Sequence, residues 1–355
     1  MSEHRRGISG GIEAPATRLE WSDQLGKRIR EGDPEELAVS TVQRIEEAVA
    51  AGQWEVAAQL VDYFMEEAKV CHLVYTTWSE GFESWLLGRG VTREELKAER
   101  SRLDRVLAFD DGSPFAPHEA WSELGATAGR LGNDLRGMQV GDDAIARLTL
   151  LVDAWRALHD RWADLQAGLL TYVAERFGEA AIGDCYRAVL APFLAERYAP
   201  FDLREKPYAE TVERNLYLTF EAMRAHLSGP DRLGNLAVDE HEDRWVISFD
   251  PCGSGGRQTR GGGGEEFGFT KDEHDWAWNE SGVCYYCAHC CLTNERWAVE
   301  QWGAPVRVTQ PPRRPDATDS PCTWTIYKSV EAVPEEAYAR LGLTKPPTAP
   351  SSNGH

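Results

Sequence analysis

The sequence predicts an α+β protein: an N-terminal all-α helical bundle with an internal duplication, followed by a small cysteine-rich α+β domain. Three observations carry this. Apolar residues recur at helical spacing from about Asp33 to Ser228. Within that stretch a pattern of five residues returns after 87 positions. Beyond it the spacing changes to the alternation of strands, and six of the eight cysteines gather there.

Residues 1–32 mix Gly, Ser, Pro and both charge signs, and are expected to be disordered. The helical domain is assigned to 33–228. Asp33 is placed to cap its first helix, with Pro34 at the first helical position. Thr92 followed three residues later by Glu95 reads as a capping box. The stretch Asp110–Pro117 breaks the helical pattern and is expected to be a loop. Glu66 and Glu67 are expected on a solvated face.

The repeat pairs His72 with His159, Tyr75 with Trp162, Gly81 with Gly168, Trp85 with Tyr172, and Arg89 with Arg176. Each histidine stands three residues before its aromatic partner, so both lie on one helix face. The two glycines would permit close helix approach. The offset is too long for the common short repeats, so a pseudo-symmetric bundle is expected, not a solenoid. A pseudo-twofold would bring His72 and His159 to a shared axis. There they would build a polar pocket, or serve as one hydrogen-bonded core histidine per copy. Asp160 has Leu73 as its counterpart, so only the second copy carries the His-Asp pair.

Residues 228–235 hold the glycines and proline of a boundary. The second domain is assigned to 236–343. In it, 245–249, 306–309 and 323–327 read as strands, and 292–302 reads as a helix stopped by Gly303. The tail, 344–355, is rich in Pro, Ser and Gly and expected to be disordered.

Charge limits the partners. The formal net charge of −20 repels phosphate backbones, so no nucleic-acid partner is expected. No run of eighteen apolar residues exists, so no membrane span is expected. The N-terminus lacks an apolar signal region, and a cytoplasmic location is expected. Thiols stay reduced there, and clustered cysteines more often bind metal or catalyse than form disulfides. A small molecule is the expected partner, and the long helices are compatible with a homodimer.

The chemistry centres on Cys284, Cys287, Cys290 and Cys291, with His289 among them. Cys252 and Cys322, each preceded by proline, flank the cluster at about thirty residues on either side. Thiolates at two-residue intervals suit a soft metal. The candidate ligands are therefore Cys252, Cys284, Cys287, His289, Cys290 and Cys322. Zinc would take four of them; iron, alone or as an iron–sulfur cluster, is the alternative. A dithiol redox pair and a set of plain buried cysteines are the other readings. Six thiols exceed what one ion needs, so Cys291 is a candidate nucleophile.

The loop after the first strand of this domain carries Gly253, Ser254, Arg257 and Arg260, with four more glycines. Such a loop can form an anion nest for a substrate carboxylate or phosphate, or be a plain flexible connection. It lacks the Lys-Ser/Thr of a nucleotide loop. His274 and His159 are candidate acid–base groups, and His72 a candidate substrate contact.

The layout of Asp250-Pro-Cys252, a cysteine cluster before a helix, and Pro321-Cys-Thr-Trp-Thr-Ile-Tyr327 resembles two related groups. These are the L-2-amino-thiazoline-4-carboxylate hydrolase-like proteins and the 4-vinyl reductase small-molecule-binding domain. The resemblance spans about 85 residues of the C-terminal domain. It implies a domain that binds a small, often acidic molecule beside a cysteine site, with Cys252, Cys287 and Cys322 carrying function. The denser Cys-His cluster, the Gly-Arg loop and the helical repeat depart from both groups. The reading reached from sequence is a metal-dependent hydrolase or lyase that cleaves a C–N or C–S bond in a small carboxylate-bearing molecule. The rival is a ligand- or redox-sensing module with a structural zinc site.

Overall fold

The computed structural model describes residues 18–23, 25–138, 143–199, 207–261 and 267–347. A large helical part leads into a mixed part with a four-stranded antiparallel sheet, so the α+β class is as the sequence predicts. No helix among the described residues is long and apolar enough to cross a membrane.

The chain departs from expectation at its start. Residues 1–17 lie outside the described residues, but 19–30 form a hairpin, β1 (Leu19–Ser22) with β2 (Lys27–Arg30). Its anchor is Arg30, fully buried, whose guanidinium donates to the Val39 carbonyl at 2.8 Å and the Glu36 carbonyl at 3.0 Å. A charged residue that caps carbonyls from inside has no signature in local composition.

The short α1 (Pro34–Ala38) starts with the expected capping box of Asp33 and Glu36, and α2 (Thr41–Ala50) is capped by Ser40. The bundle turns on two long helices, α3 (Trp54–Gly88) and α6 (Ala144–Phe177), of 35 and 34 residues. Their apolar residues fall every three to four positions, from Ala57 and Val61 through Phe64, Ala68, Tyr75 and Trp78 to Phe82 and Leu86 in α3. Gly90 and Gly178, at φ +92° and +86°, let the chain leave each helix in a conformation other residues resist. Shorter helices follow each: α4 (Arg93–Leu107), opened by the Thr92 capping box, and α7 (Ala181–Tyr198). Between them lies α5 (Pro117–Arg136), after the expected irregular stretch near 110–116.

The duplication shows in the contacts across α3 and α6. His72 faces Trp162 edge-on at 5.8 Å, and Tyr75 faces His159 at 5.5 Å. The partners cross between copies with reversed order, so the two helices pass antiparallel about a pseudo-twofold. Gly81 abuts Val189 of α7, where an added Cβ would sit 2.6 Å from a methyl. Gly168 likewise abuts Leu103 of α4, at 2.4 Å. Arg89 reaches Asp184 of α7 and Arg176 reaches Glu95 of α4. Each copy thus clasps the short helix of the other.

The last bundle helix, α8 (Tyr208–Ala225), carries the chain to the turn at 228–235. Then come β3 (Ala237–Glu240), β4 (Arg244–Phe249), the one-turn α9 (Gly255–Thr259), α10 (Ala288–Cys290), a π-helical turn (Cys291–Arg296) and α11 (Trp297–Trp302). The strands β5 (Val308–Gln310) and β6 (Cys322–Tyr327) and the short α12 (Glu335–Ala339) close the fold. The sheet order is β3-β4-β6-β5. Strand alternation turns Ile247 and Phe249 of β4 and Cys322, Trp324 and Ile326 of β6 to one face. That face packs on Val212, Leu216, Phe220 and Met223 of α8. A second apolar cluster joins α3 and α6 to the cysteine segment. Both clusters therefore cross the turn at 228–235, and a cleft lies where bundle and sheet meet.

Two local expectations are corrected. Of the Gly-rich stretch after β4, Gly255–Thr259 is not a free loop but forms α9, while 262–266 lie outside the described residues. Glu67 is not solvated: it is 1% exposed and pairs with the buried Arg224 at 2.8 Å. The tail from residue 344 runs irregularly to 347, with Lys345 donating to the Glu331 and Val333 carbonyls; 348–355 lie outside the described residues.

Candidate functional site: a thiol-lined cleft

The cleft offers a cavity of about 40 Å³, or about 430 Å³ with the open solvent at its mouth counted in. Cys252, Cys287, Cys290 and Cys322 line it, with His226 and His289. The four thiols arrive on three segments. Cys252 lies just past β4, and Gly253 presses its backbone onto the end of α8, where an added Cβ would stand 1.7 Å from the His226 carbonyl oxygen. Cys322 begins β6, directly across from Phe249. Cys287 and Cys290 sit three apart on one helical turn, the Cys290 N–H donating to the Cys287 carbonyl at 2.9 Å. Gly255 leaves room for the Cys287 sulfur, which would be 2.3 Å from a Cβ there.

The other two cysteines of this region turn away. Cys284 donates to Gln258 Oε1 at 3.2 Å. Cys291 is fully buried, accepts the Trp278 N–H at 3.3 Å, and does not line the cleft. Of the adjacent pair, Cys290 and not Cys291 meets the open space. All eight cysteines are free thiols. Burial pushes the Cys290 and Cys322 thiols well up, and Cys287 is raised by its hydrogen bond with Cys284 and by burial. Burial also opposes ionisation of Cys284, but hydrogen bonds from the Cys287 thiol and from the backbone of Cys287 and Tyr286 outweigh it and lower its pKa.

His289 stands beside Cys290. Its Nδ1 donates to the Tyr286 carbonyl at 2.5 Å, which leaves Nε2 as the acceptor, 3.4 Å from the Cys290 sulfur. Burial holds this imidazole down at about 4, so it is neutral near pH 7. Among the described residues no three His, Cys, Asp or Glu side chains are drawn to one point as a ready-made metal cage. The thiols line a common space and would have to rotate inward to share an ion.

A second cleft, with a cavity of about 80 Å³, opens against Val70, Val74, Trp78 and Phe193 of the bundle. It shares His226, His289, Cys290 and Trp324 with the first. Arg307 forms part of its wall, its guanidinium over the Trp324 ring at 5.0 Å.

Behind the cleft lies a buried polar cluster. The fully buried His159 pairs through Nδ1 with Asp160 at 2.9 Å. Its Nε2 lies 3.1 Å from Tyr75 Oη and 3.0 Å from His226 Nδ1. Tyr286 donates to Tyr75 Oη at 3.1 Å. Burial opposes the Asp160 charge, but the His159 N–H, Arg257 and Arg232 outweigh it and hold the carboxyl well below its usual range. Burial lowers the His159 pKa despite Asp160.

The remaining expected residues stand as follows. Arg257 points inward to Asp160 and Asp164, and Arg260 pairs with Asp250 and caps the Asp319 carbonyl. Neither guanidinium of the Gly-Arg segment is turned to the cleft, while Ser254 is part of the lining. His274 is bound to Glu179 at 2.8 Å and stacked on Trp276, outside the cleft lining. His72 is sandwiched in the bundle, stacked on Trp121 at 4.2 Å and accepting from Trp162 Nε1 at 3.2 Å. Sequence reasoning missed His226 and Tyr286. His226 is the C-cap residue of α8, next to a carbonyl that Trp155 holds at 2.9 Å, and no spacing rule marks it. Tyr286 was visible only as part of the cysteine segment.

No protein-family model, no curated protein and no solved structure matches this chain.

Proposed function

We propose that the cleft is the catalytic site of an enzyme acting on a small molecule. In this reading a soft metal ion, zinc or iron, is held by thiolates drawn from Cys252, Cys287, Cys290 and Cys322. The observation that supports it is the convergence of four thiols from three separate segments on one cleft. The donor set fits such an ion. The Cys287, Cys290 and Cys322 thiols resist ionisation, and a bound cation would stabilise the thiolates by direct charge. A metal there would supply Lewis-acid activation of a water or of a polarised substrate bond. The chain's own residues do the rest. His289 presents a bare Nε2 lone pair beside Cys290 as a hydrogen-bond acceptor, and Tyr286 and Trp324 supply aromatic wall to the cleft.

The substrate carboxylate inferred from the Gly-Arg segment loses support, because Arg257 and Arg260 are engaged with carboxylates of the protein itself. Elemental analysis of the purified full chain tests the reading. An equivalent of zinc or iron that Cys252→Ser or Cys290→Ser removes is expected. Less than a few tenths of an equivalent in a fully folded chain would overturn it.

A second reading rests on the 3.4 Å contact of Cys290 with His289. A metal-free Cys290 nucleophile with His289 as its base needs no other thiol. It predicts that chelator-treated protein is alkylated by iodoacetamide first at Cys290, and that His289→Gln slows this at least tenfold.

A further inference from the structure

Nearest-neighbour distances in the cluster behind the cleft have a pattern that hydrogen bonding alone satisfies poorly. His159 Nε2, His226 Nδ1 and Tyr75 Oη stand 3.0, 3.1 and 3.1 Å from one another, a nearly equilateral triangle. The hydrogens available to it can be counted. Asp160 is held ionised by arginines and only accepts, so the His159 ring hydrogen sits on Nδ1 and Nε2 presents a lone pair. Tyr286 spends its hydroxyl hydrogen on Tyr75. At most two hydrogens, from Tyr75 and from His226 Nδ1, then serve three edges.

We propose that His159, His226 and Tyr75 form a binding site for a first-row transition-metal dication, made of nitrogen and oxygen and separate from the thiols. The size fits. The centre of such a triangle lies about 1.8 Å from each corner, and an ion about 1 Å out of its plane would stand at about 2.0–2.1 Å from all three, the usual zinc–nitrogen distance. The surroundings fit as well. A metal-bound imidazole normally donates its other N–H to a carboxylate that fixes the ring, and Asp160 does this for His159 at 2.9 Å. Asp160 is itself held by Arg232 at 2.7 Å and Arg257 at 3.5 Å, so the orienting group is oriented in turn. Binding would release the Tyr75 phenolic proton to solvent and leave the His226 ring hydrogen on Nε2, so that Nδ1 presents its lone pair, with no change of oxidation state. The donation from Tyr286 would stabilise the resulting phenolate. His226 lines both clefts and Tyr286 the first, so the open face of the ion would look towards the space a small molecule can enter. The phenolate and two imidazoles make a harder donor set than the thiols, suited to zinc or ferrous iron, with cobalt(II) as a probe.

The site is independent of the thiolate reading, and cobalt(II) separates the two. The full chain is stripped with chelator and titrated with cobalt(II) chloride, following visible absorption and melting temperature. One equivalent is expected to give ligand-field bands without sulfur-to-metal charge transfer and to raise the melting temperature. Tyr75→Phe, which removes only a hydroxyl, should weaken that equivalent at least tenfold, and His159→Gln should abolish it. A Cys252→Ser/Cys290→Ser double variant should keep it. Should His159→Gln fail to fold, Tyr75→Phe decides alone. Wild-type cobalt affinity in Tyr75→Phe, or bands of thiolate cobalt only, overturns the proposal; the second pattern leaves the thiolate reading standing. Sulfur-free bands lost with Tyr75 uphold the proposal even where the thiolate reading fails.

Discussion

Acid should destabilise this protein through its buried neutral imidazoles, and His72 gives the clearest case. It is 6% exposed, stacked on Trp121, and its Nδ1 accepts a hydrogen from Trp162. A second proton would have to enter at that nitrogen, against the Trp162 N–H. Burial, with His118 as a lesser cause, brings the His72 pKa from 6.5 down to about 4. The sign follows from which state binds the proton. The folded pKa is depressed, so below about pH 6.5 the unfolded chain is protonated first and stability falls as pH falls. The loss is spread between about pH 6.5 and 4. Between pH 7.5 and 5.5 the unfolded state gains about one unit of protonation free energy that the native state does not, about 1.4 kcal/mol. Replacing His72 by Gln keeps an acceptor for Trp162 and removes the titration. Urea unfolding of both chains at pH 7.5, 6.5 and 5.5 gives the comparison. Wild type should lose about 1.4 kcal/mol more than His72→Gln over that range, whatever their difference at pH 7.5. Equal losses would refute the reasoning.

Three further outcomes are expected. Glu67→Ala strands the buried Arg224 guanidinium and should cost about 3–5 kcal/mol by urea unfolding at pH 7; a loss under 1 kcal/mol would contradict a buried pair. Gly253→Ala sets a Cβ into the His226 carbonyl and must shift the segment that carries Cys252. It should lower the melting temperature by several degrees, at about 2–4 °C per kcal/mol, and slow alkylation of Cys252 relative to Cys290 where both are reached from the cleft. Gly168→Ala meets the methyls of Leu103 and should cost about 1–3 kcal/mol, read from denaturant unfolding; a neutral result would mean that the two copies do not clasp closely.

Periodicity revealed the helical region, because α3 and α6 bury long apolar faces. The repeat was legible for the same reason: a twofold contact needs like residues at like positions, and His72–Trp162 with Tyr75–His159 supply them. The strands β4 and β6 were legible as alternation. What stayed hidden depends on partners far along the chain. Arg257 looked like a substrate cation because its neighbours are glycines; its partner Asp164 lies on α6, 93 positions away. Glu67 looked solvated beside Glu66, since Arg224 is 157 positions distant. His226 carries no motif and gains its place only because α8 ends against the segment after β4. Within the cysteine cluster, spacing indicated which thiols could meet but not which way each faces. The turn that directs Cys287 and Cys290 into the cleft sends Cys291 to the other side.

The most direct test of the thiolate cleft is X-ray absorption at the metal edge of the zinc- or iron-loaded Tyr75→Phe chain, in which the nitrogen–oxygen site is weakened. The account predicts a first shell dominated by sulfur at about 2.3 Å, lost when Cys252 and Cys290 are both replaced by serine. A shell of nitrogen and oxygen alone, or a sulfur shell that survives both replacements, would contradict it.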